Sequence, residues 1–407
     1  MAFTSFAWAA EPLALAEAQR IAVERSQLLV ANDAAASAAR RMAQAAHQLP
    51  DPVLKLGVEN VPLDGPDRFS LSRDFMTMRR IGIMQELPSA DKRRLRAQRV
   101  SWDAIKAQAE RQLTLANVQR DTALAWLDRY YALAQQQVLL QQAEEAKVQA
   151  QLAETAYRGA RGSQADVFAA RAAEAALADR LVQVERQARN AQLMLARWIG
   201  PSADRLPAGA PPWQATYLDR GVSIEHLRTH PEMGVALAQV EAAEADVRLA
   251  EANKRPDWTV EASYSQRGSA YSNMVSIGVS VPLQLDRANR QDQEVGAKLA
   301  MHAEARARYE DMLRGHEANV RVMLGDWNSG KERVARYARE LVPLARQRTD
   351  AAMAAYRGGK ADLASVLASR REELDVRMQA LVVEMETARQ WAQLEFISAQ
   401  HGHGEKP

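Results

Sequence analysis

The sequence predicts a mainly α fold of long helical hairpins carrying a small β part of four strands. Three observations lead there. Asp91–Arg158 runs without a proline or glycine, and Asp286–Arg357 is comparably long; at about 1.5 Å per residue each would reach roughly 100 Å as a helix. Four short segments alternate apolar and polar residues with the period of a β-strand. A turn sequence also occurs twice, as AYRGARGSQADVFAAR at Ala156–Arg171 and AYRGGKADLASVLASR at Ala355–Arg370. The same interval, near half the chain, separates Tyr157 from Tyr356, Gly159 from Gly358, Val167 from Val366 and Arg171 from Arg370. Self-similarity on that scale predicts a duplicated architecture and not a short-repeat solenoid.

In chain order, residues 1–10 are apolar, with small residues at Ala7, Ala9 and Ala10. That is the pattern of a secretory signal's end, cleaved near Ala9 or Ala10. Residues 11–200 form the first repeat. Its opening helix, Leu13–His47, stops at Pro50-Asp51. Strands follow at about 53–60 and 75–87, broken apart by Pro62, Gly65 and Pro66. Leu54, Leu56, Val58, Ile81 and Ile83 fall on one face, and Lys55, Gly57, Glu59, Arg80, Gly82 and Glu86 on the other. The long helix 91–158, a tip at 159–163 and a helix at 164–199 complete the repeat. Gly200, Pro201, Pro207, Pro211 and Pro212 mark a linker over 201–221.

Residues 222–400 repeat the plan. A helix over Ser223–Lys254 leads into strands at about 257–266 and 274–282, which Gly268–Asn273 separates. Trp258, Val260, Ala262 and Tyr264 share a face, as do Val275, Ile277, Val279 and Val281. The long helix 286–357 is expected to be interrupted at Asn328-Ser329-Gly330 and softened at Pro343. A tip at 358–362 and a helix at 363–400 follow. The tail HGHGEKP, 401–407, reads as disordered, with His401 and His403 at most a loose metal site.

The 407 residues carry 53 basic and 51 acidic side chains, a net charge of +2, spread along the helical stretches, so nothing resembles a nucleic-acid footprint. The absence of cysteine excludes disulfides and thiol catalysis. No apolar window is long enough for a membrane-spanning helix. No nucleophile, metal-site or phosphate-loop spacing appears, so the chain is read as no enzyme and without a cofactor.

One apolar and one polar strand face fits a half-buried soluble sheet as well as a membrane barrel with lipid outside and water inside. The helices shift the balance. Stretches so long need partners along their whole length, and Ala107, Ala109, Ala116, Ala123, Ala125, Ala132 and Ala134 leave no thick core. Four strands cannot close a barrel, so oligomerisation is the natural remedy.

The order of these features is similar to that of the TolC family of outer-membrane efflux channels. The residues carrying the resemblance are Leu15-Ala16-Glu17-Ala18, Leu49-Pro50-Asp51-Pro52, Glu86-Leu87-Pro88, Ser280-Val281-Pro282-Leu283 and both Tyr-x-Gly turns. The resemblance implies a homotrimer whose four strands per chain make a twelve-strand barrel in the outer membrane, joined to a helical tunnel across the periplasm of a Gram-negative bacterium. Leu54, Leu56, Val58, Ile81, Ile83, Trp258, Val260, Tyr264, Val275, Ile277 and Val279 would then face outer-membrane lipid. The tips would meet a periplasmic adaptor, itself joined to an inner-membrane RND pump, through Tyr157, Gly159, Arg161, Gly162, Ser163, Tyr356, Gly358, Gly359 and Lys360.

Asp166 and Asp362, just inside the tips, would serve as an aperture gate; helix capping explains them equally well, and Ser365 stands where relatives carry an acid. Gly65-Pro66-Asp67-Arg68-Phe69 and Asp74–Gln85 resemble the branch paired with heavy-metal pumps. Met76, Met78 and Met84 invite a soft-metal reading, although methionine also packs well on irregular surfaces. The alternatives are a general drug or type I secretion channel, and a soluble periplasmic coiled-coil adaptor or scaffold.

Overall fold

The computed structural model describes residues 11–220 and 223–397. The expected signal remnant at 1–10, the tail with His401 and His403, and the end of the last expected helix lie outside the described residues. Nine α-helices and four strands are described, in the order α1 (Leu15–Arg25), α2 (Gln27–Ala46), β1 (Val53–Glu59), β2 (Met78–Leu87), α3 (Ala90–Arg158), α4 (Gln164–Ile199), α5 (Ile224–Arg228), α6 (Pro231–Asn253), β3 (Trp258–Gln266), β4 (Met274–Ser280), α7 (Gln291–Arg336), α8 (Val342–Arg357) and α9 (Leu363–Glu395). Short 3-10 turns occupy Gly200–Asp204 and Tyr217–Arg220.

The chain forms two compact units, and each repeat contributes to both. One holds the residues up to Val30, Arg111–Pro231 and the residues from Leu313; the other holds Ala31–Glu110 and Glu232–Met312. In the second unit the strands pair antiparallel in the order β1-β2-β3-β4, so the seam between repeats is the β2–β3 ladder. The foot of β3 is fixed by ions: buried Lys92 bonds to the Arg255 carbonyl and, at 2.8 Å, to Asp257. Farther along, Arg99 of α3 donates to Asp246 of α6 at 2.9 Å.

The first unit has the larger core. Trp126, Leu127, Tyr131, Leu195, Ile199, Leu218, Trp327 and Leu394 are almost wholly buried there. The linker between repeats is strapped across this core. Leu13 donates its N–H to the Leu206 carbonyl at 2.7 Å and accepts from Ala208 at 3.0 Å. Three indoles complete the strap: Trp327 donates to the Trp213 carbonyl at 2.9 Å, Trp391 to the Ala215 carbonyl at 2.9 Å, and Trp126 to the Leu13 carbonyl at 3.0 Å. Buried indoles need such partners, and here the partners are carbonyls of Leu13 and of the linker, outside any named strand.

Several helical boundaries differ from the sequence reading. The expected helix 13–47 breaks at Ser26, whose extended backbone and hydroxyl restart the next helix by accepting from Leu29. The expected helix over Ser223–Lys254 breaks before Pro231. The helix expected from 286 begins at Gln291, because Asp286 holds a turn by accepting from Asn289. Asn328-Ser329-Gly330 do not interrupt α7. A Cβ on Gly330 would stand 2.4 Å from the Thr387 hydroxyl, so this glycine serves close packing against α9 and not a bend. The irregularity falls later, as a π turn at Tyr337–Leu341 where Val342 donates to the Tyr337 carbonyl. Pro343, one residue beyond, cannot donate to the carbonyl behind it. The second strand starts at Met78, not 75: Asp74 caps the Met76 N–H at 2.7 Å, and Thr77 closes on the Asn60 carbonyl at 2.9 Å.

Candidate functional site

Two surfaces carry the features expected of function, the sheet and the hairpin tips. On the sheet, register decides which side chains share a face. Leu54 lies opposite Ile83, Ile83 opposite Ala262, and Ala262 opposite Ile277. A second row runs Leu56, Ile81, Tyr264, Val275. Val58, Trp258, Val260 and Val279 extend the same face. Val260 is half-buried and the others are exposed, Ile277 to 78% and Val275 to 72%. An apolar face this bare, crossing all four strands, is far from the solvated side expected of a water-soluble sheet.

The reverse face is polar. Lys55 of β1 pairs with Glu261 of β3 at 2.7 Å, and Arg80 of β2 binds both Glu59 at 2.7 Å and Glu261 at 2.5 Å. Ser263, Ser265 and Ser276 lie on the same side, with Gly57, Gly82 and Gly278. Met78 and Met84 also face this side, whereas Met76 sits in the loop before β2; the three do not converge.

At the tips, the two repeats make the same turn with the same hydrogen bonds. Gly159, Ala160 and Arg161 donate to Thr155, Tyr157 and Ala156; Gly358, Gly359 and Lys360 donate to Ala354, Tyr356 and Ala355. The left-handed position is Ala160 in one tip, at φ 55°, and Gly359 in the other, at φ 68°. Ala153, Val167, Ala170, Leu363 and Val366 pack the hairpins together, with Tyr356 against them, while Tyr157 is exposed. Arg161 and Lys360 are exposed as well.

Each helix leaving a tip is capped by a serine–aspartate pair with the roles exchanged. Ser163 is the N-cap of α4 and Asp166 reaches back to it, accepting from the Ser163 N–H at 2.9 Å and its hydroxyl at 2.7 Å. Asp362 is the N-cap of α9, accepting from the Ser365 N–H at 2.9 Å and its hydroxyl at 2.5 Å. The Ser365 hydroxyl and N–H hold the Asp362 carboxyl below the ordinary range. Asp166 and Asp362 therefore occupy different cap positions and not equivalent ones.

Sequence reasoning missed the tryptophan strap, the Lys92–Asp257 clamp and a buried histidine contact, His230 Nδ1 to His316 Nε2 at 2.6 Å. The tryptophans carried a faint signal, being large rings in a chain poor in aromatics. The histidines carried none, because a pair 86 positions apart has no spacing to read. Among the described residues no three His, Asp or Glu side chains are grouped to hold a metal ion, and no helix is long and apolar enough to cross a membrane.

Residues 224–400 match the family described as outer membrane efflux protein. No curated protein sequence matches the chain. Among solved structures, CusC, described for its folding and transmembrane channel formation, has a TM-score of 0.80 at 15% identity, covering 93% of this chain and 90% of its own. VceC of Vibrio cholerae has a TM-score of 0.76 at 18% identity over 96% and 97%, and the CmeC channel of Campylobacter jejuni 0.79 at 13% over 97% and 87%. Over most of its length the chain thus has the fold of these proteins, and residues 224–400 match the outer membrane efflux protein family.

Proposed function

We propose that the chain is an outer-membrane efflux channel of the TolC type, a passive homotrimeric conduit and not an enzyme. Three copies would bring twelve strands into one barrel, with the Leu54–Ile83–Ala262–Ile277 face toward lipid and the Arg80 ion-pair face toward water. The observation that carries this reading is the exposed apolar face running unbroken across four strands whose outer members, β1 and β4, pair with no other described strand. The family match over 224–400 supports the efflux role.

The tips, with Tyr157, Gly159, Arg161, Gly162, Ser163, Tyr356, Gly358, Gly359 and Lys360, would dock a periplasmic adaptor that links the channel to an inner-membrane RND pump. Gly65–Phe69 and Asp74–Gln85 favour heavy-metal cations as cargo. For Asp166 and Asp362 the capping geometry favours the structural role over the gate.

The test is expression in a Gram-negative host with membrane fractionation, chemical cross-linking and planar-bilayer recording. The expected outcome is outer-membrane sedimentation, a cross-linked species of three chains and stepwise ion conductance. A detergent-independent monomer without conductance overturns the reading. Comparing metal and drug tolerance of cells with and without the gene separates the cargo classes.

A further inference from the structure

In the first unit, α3, α4 and α9 touch at two levels. Leu139, Val184 and Leu374 meet at one, and Ala153, Val167 and Val366 at the other. Between them the three helices stand apart around a cavity of 690 Å³. Along α3 the two contacts are on the order of 20 Å apart, at about 1.5 Å per residue. The cavity is therefore an open trench between these two packed levels, with α3 as floor and α4 and α9 as walls. Its length and depth suit an elongated small molecule.

The lining is chemically specific. Where leucine and valine pack the levels above and below, the trench has buried Ala146, half-buried Ala173 and exposed Ala368, so the walls are apolar but the space is unfilled. Two glutamines are buried in the floor, each 8% exposed. The Gln149 oxygen is turned to the Arg370 guanidinium. The Gln142 side chain makes no hydrogen bond among the described residues, and its amide keeps access to solvent in the trench. The cations on the rim differ in the same way. Arg370 is paired with Glu145, and Arg180 with Asp375 at 2.8 Å. Arg371 also lines the trench, and the neighbouring Glu372 is taken by Arg348 at 2.6 Å. Arg371 has no carboxylate partner among the described residues.

We propose that this trench is a binding site for an amphiphilic anion. Its chain lies along the alanine walls, its acid head pairs with Arg371, and a polar atom satisfies the Gln142 amide. The inference concerns a single chain and does not rest on the proposed channel function.

The chain has no cysteine, so one introduced thiol reports cleanly. Ala146→Cys places it in the floor, and Ala173→Cys in the wall should the first variant fold poorly; Asn190→Cys, exposed on α4, is the control. The full chain is held in dodecyl maltoside, whose uncharged head joins the same twelve-carbon chain as the probe, sodium dodecanoate. Alkylation by N-ethylmaleimide is timed with and without dodecanoate below its micelle concentration. The expected result is slowing of about five-fold or more at the trench thiol once dodecanoate exceeds its dissociation constant several-fold, no change at Asn190→Cys, and loss of the protection on adding Arg371→Gln. No slowing, equal slowing at both reporters, or protection that survives Arg371→Gln overturns the proposal.

Discussion

Ala160 and Gly359 occupy the same left-handed position in two copies of one turn, and only one of them is the residue that position favours. A Cβ there crowds the backbone at a cost of about 1 kcal/mol. Ala160→Gly is therefore expected to raise the stability of the first tip by roughly that amount, and Gly359→Ala to lower the second by as much. Hydrogen exchange of the tip amides in the two variants checks both signs. The exchanged caps make a similar point. An aspartate can sit at the N-cap or three residues inside it, so the sequence shows a serine and an aspartate near each tip without showing which one receives the first free N–H.

At the scale of elements, the sheet is the most sharply testable. In the proposed barrel Ile277 points outward and its neighbour Ser276 inward, so one residue step changes solvent. Ile277→Arg is expected to cost about 2–4 kcal/mol near the middle of a bilayer and to deplete the chain from outer-membrane fractions, while Ser276→Arg inserts normally. Equal depletion by both variants contradicts the assignment of faces. These faces were legible because alternation with a period of two survives in Leu54–Val58 and Val275–Val279. The helices were legible as long stretches free of proline and glycine. Other features had no local code. The order β1-β2-β3-β4 depends on pairing between strands far apart in the chain. The continuity of α7 through Asn328-Ser329-Gly330 depends on Thr387 of another helix, and the tryptophan strap on carbonyls in a loop. Each of these is a tertiary contact overriding a correct local preference.

At the scale of the whole molecule, the start of the described chain is tied to its middle. Arg205 donates to both Glu17 carboxylate oxygens, at 2.7 and 3.0 Å, and to the Glu11 carbonyl at 2.6 Å. The Arg205 hydrogen bond holds the Glu17 carboxyl below its ordinary value of 4.5. A depressed carboxyl contributes stability above its unfolded pKa and loses it as pH falls through the folded one. The stability difference between the native chain and Glu17→Gln is thus expected to be constant above pH 5 or so and to shrink as the pH drops below about 4. Thermal melts of the two proteins across that range measure it, and a difference independent of pH would assign the contact no ionic role.

The seam between the repeats has a consequence for how the chain is made. Its two central strands are separated in sequence by the whole of α3, α4, α5 and α6, so a ribosome releases the first hairpin long before the second exists. Until β3 arrives, Ile81 and Ile83 have only Leu54 and Leu56 for company, and closing so long an intervening loop is slow. The early hairpin therefore waits with an unpaired edge, open to wrong partners for longer than the hairpin synthesised last.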